Sequence, residues 1–354
     1  MHFDLTDEQR MLGESVQRFV KNDYGFEARQ AIVASDAGWS RAKWQQMAEL
    51  GILALEVPES QDGLAPAPTE TLLTLSALGR AAIVEPFVSS AVVSTVLLRE
   101  LGDPNRRLPG LASGEAVAVF AHGEPGARWQ RDAVSTTATK NGSGWTLSGT
   151  KSMVLHAPAA DLLLVSARTD SGVGLFEVAP ATVAMRRFKT VDGQVAADVE
   201  LSGEGALVRE SAQPAIDRAL EQGIAAVCAE AVGTLESALE ATVSYTKDRK
   251  QFGVPIASFQ ALQHRMADML IHVEQARSMS ILAMHRGTPR TRAAAKAVVG
   301  QACRFVGEQA VQLHGGMGMT EELAISHLFK RLYALDVLFG DADHHLARFA
   351  ALPV

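Results

Sequence analysis

A long series of apolar residues recurs every three or four positions in the carboxy-terminal third of the chain. This spacing places the series on one face of an α-helix, and such a face must be buried against a neighbour. The series consists of Leu220, Ile224, Val227, Ala231, Leu235, Leu239 and Val243. Similar patterns cover 259–273, 294–309 and 323–335, and a short last helix is expected after Asp343. Long helices joined by short turns predict a helical bundle.

The middle of the chain has a different pattern. Short apolar or alternating runs, separated by turn residues, predict strands at 116–121, 133–139, 145–149, 161–167, 174–178 and 197–201. Between the second and third runs lies Asn141-Gly142-Ser143-Gly144, which favours a tight hairpin because Asn and Gly tolerate positive φ. This region therefore predicts a compact antiparallel β domain.

The amino-terminal region is predicted to be mainly helical. Thr6-Asp7-Glu8-Gln9 has the pattern of a capping box and precedes apolar residues at helical spacing. Together the three regions predict an α+β fold. We expect an N-terminal helical domain over 1–112, a central antiparallel β domain over 113–208 and a C-terminal four-helix bundle over 209–354.

Composition narrows the class of protein. The 354 residues are 47% hydrophobic and carry a formal net charge of -7, without a Lys and Arg cluster. A large core is therefore expected, and binding to nucleic acid is not. Cys228 and Cys303 both fall within helical apolar patterns, which favours free thiols in a reducing compartment. The apolar runs are too short to span a bilayer. We expect a cytoplasmic protein without a membrane span.

Two segments combine residue types that suit a phosphate-bearing ligand. The first is Arg249-Lys-Gln-Phe-Gly-Val-Pro-Ile-Ala-Ser-Phe-Gln260, where a guanidinium, an amide and an aromatic ring surround a turn. The second is Gln312-Leu-His-Gly-Gly-Met-Gly318, where glycines permit close approach of a backbone or positive φ. Alternatively, Arg249 is a cation at a helix C-terminus and the glycines end a helix.

In their order and separation, these segments resemble the FAD-binding signatures of the acyl-CoA dehydrogenase family. The order of helices, β domain and helical bundle is similar to that family too, as are "ELGILALEVPES" at 49–60 and "GEPGA" at 123–127. In its "FGDADHH" loop at 339–345 and in its β region, the chain resembles the shorter subunits of actinobacterial steroid and other bulky acyl-CoA catabolism. The resemblance implies that FAD is contacted by Arg249, Gln251, Phe252, Gln260, Gln312, Gly315 and Gly316.

The reaction implied by this resemblance removes two hydrogens across the α and β carbons of an acyl-CoA thioester. A carboxylate takes the α proton while the β hydrogen leaves as hydride to the flavin N5, and electrons pass to an electron-transfer flavoprotein. An ungapped match anchored on Arg348 places Asp341 at the position of the base. The alternative is that Asp341 or Asp343 only caps the last helix, a position where Asp is preferred.

Other candidate groups are weaker. A second branch of the family has its base at the position of Gly223 here, and the nearby Glu221 and Glu230 are expected to be solvated or to pack between helices. His344 and His345 lack the partner spacing of a metal site, so no metal is expected. They are predicted to line a pocket or cap a helix.

The β region departs from the family pattern. Usual hydroxyl residues are missing from Ala121-His-Gly-Glu-Pro-Gly-Ala-Arg-Trp129, and Met153-Val-Leu155 replaces a strand that ordinarily covers the flavin, which removes a stacking ring and a hydroxyl donor. Some of the similar short subunits pair with a different subunit, and FAD then binds at a mixed interface. The assembly is therefore predicted to be a homo-oligomer or a heterotetramer with a second acyl-CoA dehydrogenase subunit. In the second case this chain is either catalytic or a noncatalytic partner that completes its neighbour's FAD site.

Overall fold

The computed structural model describes residues 4–142 and 144–353. The amino-terminal region is mainly helical as predicted, and Thr6 and Gln9 form the expected capping box at the start of α1. Its helices are α1 (Asp7–Asp23), α2 (Phe26–Ala34), α3 (Arg41–Glu49), α4 (Pro68–Gly79), a π-helix (Phe87–Ser94), α5 (Thr95–Glu100) and α6 (Leu108–Ala112). None of the helices in the described ranges is both long and apolar enough to cross a bilayer.

Seven strands form the central sheet. They are β1 (Ala118–Ala121), β2 (Thr137–Asn141), β3 (Gly144–Leu155), β4 (Leu162–Thr169), β5 (Gly172–Val178), β6 (Ala184–Lys189) and β7 (Val195–Arg209). The order is β1-β4-β2-β3-β7-β5, with β6 on β7, and β5 also pairs with β4, so the path returns on itself. Antiparallel pairs prevail. However, β1 and β2 both run parallel to β4, which the sequence pattern did not predict.

Each predicted strand overlaps an observed one, and the structure adds β6. This strand was missed because Arg186, Arg187 and Lys189 interrupt its apolar pattern, although it pairs with β7 along its whole length. The predicted hairpin is present: Asn141 pairs with Gly144, and Gly142 has a φ of 60°. Ser143 of this turn lies outside the described residues.

The carboxy-terminal helices confirm the predicted bundle. They are α7 (Gln213–Asp248), α8 (Gln260–Arg286), α9 (Pro289–His314), α10 (Ala324–Val337) and α11 (Ala342–Ala351). Helix α9 contacts α8, α10 and α11, so it is the central helix of this group. A small hairpin, β8 (Lys250–Gln251) and β9 (Val254–Pro255), joins α7 to α8. Cys228 in α7 and Cys303 in α9 are free and buried.

Contacts divide the chain into two compact units. The helical unit comprises Met1–Arg29, Pro68–Ile83 and Ile224–Val354, and the sheet unit comprises Gln30–Ala67 and Val84–Gly223. The domain borders at 112 and 208 remain a prediction from the sequence.

Within the helical unit, two glycines let α4 and α7 cross closely. A Cβ on Gly79 would lie 2.0 Å from the Glu230 carbonyl oxygen, and one on Gly233 would lie 1.8 Å from that of Ser76. Both positions therefore require glycine.

Candidate active site

The first signature segment forms an exposed turn at the end of α7. Phe252 and Gly253 have φ values of 54° and 83°, and the hairpin closes between Gln251 and Val254. This turn leaves the Phe252 ring 92% exposed, in edge contact with Phe259 at 6.1 Å between centroids. Arg249 is exposed as well. The turn thus presents two contacting aromatic rings and an exposed guanidinium, a combination that suits contact with another molecule.

The second segment lies where α9 ends. Gly315 has a φ of 61°, which a side chain would strain, and both Gly315 and Gly316 are exposed with open space where a Cβ would be. Gly318 differs, because a Cβ there would lie 2.8 Å from the Val311 carbonyl oxygen. Gly315 and Gly316 thus present accessible backbone, whereas Gly318 serves internal packing.

A ring stack brings the two segments together. Tyr245 lies one turn before Arg249 and stacks on His314, with 4.3 Å between ring centroids and 26° between planes. His314 immediately precedes Gly315, and burial lowers its pKa, so the neutral ring is favoured at this contact. The ends of α7 and α9 are therefore neighbours, as a shared ligand site requires.

The polar side chains predicted to contact FAD are exposed on this surface. Gln251 donates to the neighbouring carbonyl of Lys250, at 2.9 Å, and Gln260 and Gln312 are exposed. Within the described ranges, Arg249 forms no salt bridge. Uncommitted guanidinium and amide donors next to bare glycine backbone fit a ligand that carries phosphates.

Asp341 is the N-cap of α11. Its Oδ1 accepts a hydrogen bond from the His344 backbone N–H at 2.8 Å, which is the arrangement that the capping alternative predicts. The carboxylate is half-buried. Because a cap uses only one oxygen, this geometry leaves Oδ2 available for a further partner, and the capping and catalytic interpretations are compatible.

The four residues Leu338, Phe339, Gly340 and Asp341, hereafter the 338–341 loop, join α10 to α11. Phe339 and Gly340 have positive φ values of 61° and 113°. A Phe in this conformation is strained and must be held by its surroundings.

Buried side chains hold this loop at successive backbone atoms. His345 Nε2 donates to the Phe339 carbonyl oxygen at 2.9 Å, and Lys296 Nζ donates to that of Gly340 at 2.7 Å. Asp336 Oδ1 accepts from the Ala342 N–H at 3.3 Å. Every residue from Phe339 to Ala342 is thus tied through its own backbone or by a side-chain cap.

Two buried charged side chains lie under the loop, and they have different kinds of partner. Lys296 is 1% exposed; burial lowers its pKa, while the carboxylates of Asp336 and Asp341 oppose that shift. Its ammonium also donates to the Asp336 carbonyl oxygen at 2.6 Å. The Asp336 carboxylate, by contrast, is bound to Arg304 Nε at 2.5 Å. Lys296 therefore holds carbonyls rather than a carboxylate.

His345 is neutral in this arrangement. Since a carbonyl can only accept, Nε2 carries the proton, and Nδ1 is buried without a hydrogen-bond partner among the residues described. Burial lowers the pKa to about 3, against the hydrogen bond to Phe339 and with the Lys296 charge adding to the shift. His345 thus supports the loop before α11 and does not cap that helix, whose N-cap is Asp341. Its predicted position in the lining of a pocket stays a prediction.

Glu221 and Glu230 have packing roles. Glu221 is paired with Arg131 at 2.6 Å, and Glu230 with Arg331 Nη2 at 2.6 Å. Both carboxylates are buried. The predicted packing between helices is confirmed for Glu230, which joins α7 to α10, whereas Glu221 pairs with a residue outside the helices. Neither carboxylate is solvated, so that alternative is wrong. Neither is free to act as a base at the position of Gly223.

The sheet unit contains a buried ion pair in the "GEPGA" segment. Lys151 Nζ contacts Glu124 Oε1 at 2.6 Å, and both side chains are almost fully buried. Burial alone would raise the pKa of Glu124, but hydrogen bonds from Lys151, Ser135 and Thr136 lower it to about 2. Burial lowers the pKa of Lys151 to about 8, against its attraction to Glu124. The pair is therefore ionised near neutral pH.

Met153 lies on a bulge two residues further along β3. The register with β7 shifts between Lys151 and Val154, and Met153 has a φ of 52°. Its backbone N–H donates to Asp198 at 3.0 Å, and its side chain is 57% exposed. The residue that replaces the usual flavin-covering ring is thus displayed on the surface of the sheet unit.

Sequence reasoning missed Lys151, Lys296 and Asp336. One signal was available for Lys296, since it is a single charge within the alanine-rich stretch Ala293-Ala-Ala-Lys-Ala297 on the inward face of α9. For Lys151 and Asp336 the patterns carried no comparable signal.

Comparison with known proteins identifies the class. The model for "Acyl-CoA dehydrogenase, N-terminal domain" matches residues 6–115, and that for "Acyl-CoA dehydrogenase, C-terminal domain" matches 214–351. The chain therefore belongs to the acyl-CoA dehydrogenase family of oxidoreductases.

Individual relatives cover nearly the whole chain. Acyl-CoA dehydrogenase IpdE2 of Mycobacterium tuberculosis is 28% identical over 334 residues, which is 92% of this chain and 91% of that protein. The ChsE4-ChsE5 complex from Mycobacterium tuberculosis matches with a TM-score of 0.91 and 26% identity, covering all of both chains. The Tcur3481-Tcur3483 steroid ACAD, solved as a variant, matches with a TM-score of 0.89 and 27% identity over 97% of each.

Proposed function

We propose that this protein catalyses the FAD-dependent α,β-dehydrogenation of a bulky acyl-CoA thioester. The observation that carries the proposal is the Tyr245–His314 stack, which places both signature segments on one surface. Arg249, Gln251, Phe252, Gln260, Gln312, Gly315 and Gly316 would hold the cofactor there. When bound, FAD accepts the hydride that leaves the β carbon.

Asp341 is proposed to remove the α proton. Its Oδ1 is held by the His344 N–H, so Oδ2 has a fixed direction from which to accept a proton. An α C–H next to a thioester is a weak acid, so proton removal depends on close approach of the base and on exclusion of water. The half-buried position of Asp341 and the anchored 338–341 loop support such a role.

The dimensions of α9 support a site shared between protomers. Lys296 touches the 338–341 loop, and His314 lies 18 residues further along the same helix. At about 1.5 Å per residue, these points are roughly 27 Å apart. The exposed surface that carries the two signature segments is hereafter the signature surface. Asp341 and the signature surface of one chain thus lie near opposite ends of α9. We propose that the signature surface serves the cofactor of a neighbouring protomer, in a homo-oligomer or a heterotetramer.

A noncatalytic partner subunit is the second candidate. The departures in the sheet unit favour it, because Met153 replaces a ring and the usual hydroxyl residues of the "GEPGA" segment are missing. The relative ChsE4-ChsE5 is itself a complex of two differently named chains. In this case the chain would supply Arg249 and its neighbours to another subunit's FAD, and reduced flavin would still pass electrons to an electron-transfer flavoprotein.

The native assembly, with any co-purifying subunit, should be assayed with short, long and sterol-derived acyl-CoA thioesters and an artificial electron acceptor. Proton removal by a positioned base contributes about 10²–10⁴-fold, so Asp341→Asn is expected to lower kcat by that order while flavin content stays native. Asp343→Asn, an exposed carboxylate two residues away, is the matched control. Native turnover in Asp341→Asn would remove Asp341 from the mechanism and favour the partner-subunit role.

A further inference from the structure

We infer that Lys296 is a positioning residue for Asp341: its buried ammonium fixes the 338–341 loop so that the base is held at one place and in one direction. The inference rests on the proposed function, since it concerns how the proposed base is held. Lys296 does not itself reach a substrate, because it is 1% exposed beneath the loop.

The geometry of the ammonium supports this role. Lys296 Nζ donates to the carbonyl oxygens of Asp336, at 2.6 Å, and Gly340, at 2.7 Å. The first carbonyl belongs to the last turn of α10, and the second belongs to the residue directly before Asp341. One cation therefore ties the loop to the helix that precedes it, from a third helix, α9.

The charge matters as well as the hydrogen bonds. A buried ammonium is costly unless its protons find acceptors. Among the described residues Lys296 has no carboxylate within salt-bridge distance, because the Asp336 carboxylate is bound to Arg304. The acceptors of Lys296 are two backbone carbonyls on either side of the turn between α10 and the proposed base, so its contacts fix the path of the chain at this point.

The remaining contacts explain why this position is sensitive. Phe339 is in the left-handed region and its carbonyl is held by His345, so the loop has a strained residue between two anchors. Without the Gly340 anchor, this strain can relax by moving Asp341. A displacement of about 1 Å at a reacting group can cost on the order of 10²-fold in rate.

The test compares Lys296→Met with Lys330→Met in the native FAD-loaded assembly. Lys330 is a matched control because it lies on α10 and pairs with Glu321 at the surface. We expect Lys296→Met to lower kcat by about 10-fold to 100-fold, with KM and flavin content near native, and Lys330→Met to change none of them. Hydrogen exchange should become faster over 338–344 in Lys296→Met. A loss confined to KM or flavin content, or an unchanged kcat, would overturn the inference.

A double-mutant cycle with Asp341→Asn separates this inference from the proposed function. If Lys296 acts through Asp341, Lys296→Met should slow Asp341→Asn little further, whereas multiplied losses would contradict the inference. If Asp341→Asn is slow and Lys296→Met is as fast as the native protein, only the positioning role fails. If Asp341→Asn keeps native turnover, the proposed base fails and the positioning role fails with it.

Two substitutions at His345 keep the inference testable should Lys296→Met not fold. His345→Leu removes the donor to the Phe339 carbonyl, whereas His345→Gln retains an N–H near the same place. We expect His345→Leu to lower kcat and His345→Gln to restore part of it. Equal kcat values in the two variants would count against anchoring of the loop as the determinant of rate.

Discussion

Among the described residues, each compact unit buries one lysine, and the two lysines have different kinds of hydrogen-bond acceptor. In the sheet unit, Lys151 is paired with the Glu124 carboxylate at 2.6 Å. In the helical unit, Lys296 is bound to two backbone carbonyls beside the proposed base. A buried charge can therefore stabilise a unit through a partner charge or fix a loop through the backbone. We expect the Lys151–Glu124 pair to contribute more to stability and the contacts of Lys296 to contribute more to catalysis.

Lys151→Met is expected to have the largest effect on stability. It would leave the Glu124 carboxylate buried without its partner, which typically costs about 3–5 kcal/mol. All four tryptophans, Trp39, Trp44, Trp129 and Trp145, lie in the sheet unit, so tryptophan fluorescence during urea unfolding reports on this unit.

The control is the double variant Lys151→Met with Glu124→Leu, which removes both charges and should recover most of the lost stability. A double variant that is no more stable than Lys151→Met would show that loss of packing, not the unpaired carboxylate, causes the effect.

Lys296→Met is expected to destabilise less, by about 1–3 kcal/mol, because it leaves carbonyls rather than a carboxylate without a partner. Far-UV circular dichroism during urea unfolding monitors the helical unit. If Lys296→Met lowered the free energy of unfolding as much as Lys151→Met, the contrast between a structural and a positioning lysine would not hold.

A smaller effect on folding stability is expected from the protonation of His345. The pKa of His345 falls from 6.5 to about 3 on folding, so the ring is neutral in the folded protein. The unfolded chain binds the extra proton first as pH decreases, and stability present above pH 6.5 is lost progressively towards pH 3. The slope should approach about 1.4 kcal/mol per pH unit.

The pH effect is measured as the difference between the native protein and His345→Gln, by urea unfolding at several pH values in that window. The native free energy of unfolding should fall more steeply with acid than that of the variant. Parallel pH dependences would contradict a neutral His345 in the folded state. The contribution of Glu124 to stability is lost at lower pH, as pH falls from 4.5 to about 2. Glu124 therefore affects this comparison little near pH 6.

The sequence predicted the regular elements and the signature surface better than the groups beneath the loop. The apolar stripe from Leu220 to Val243 and the glycines at 315 and 316 are local sequence patterns. Such patterns can be recognised without knowledge of the fold. Lys296 and Gly340 are 44 residues apart, and Lys151 and Glu124 are 27 apart, so only the fold brings them together.

Expectations about residue type also hid these groups. Lysine is rarely fully buried, so a lysine in a strand pattern such as that around Lys151 is read as exposed. The same bias hid β6, whose Arg186 and Arg187 interrupt the apolar alternation. The role of Asp341, as a base or as a helix cap, could not be decided from the sequence. One Asp can fill both roles, and the sequence contains no signal that separates them.

The most direct test of the account is the flavin content of Arg249→Gln compared with the native protein, each purified in its native assembly and measured by visible flavin absorbance. Gln251 and Gln312 remain in the variant, so only the fixed positive charge and its forked donors are removed. We expect a yellow native assembly that is bleached by an accepted acyl-CoA, and an Arg249→Gln assembly of unchanged size and thermal stability that has lost most of its flavin. A native assembly without flavin, or full flavin retention in Arg249→Gln, would contradict it.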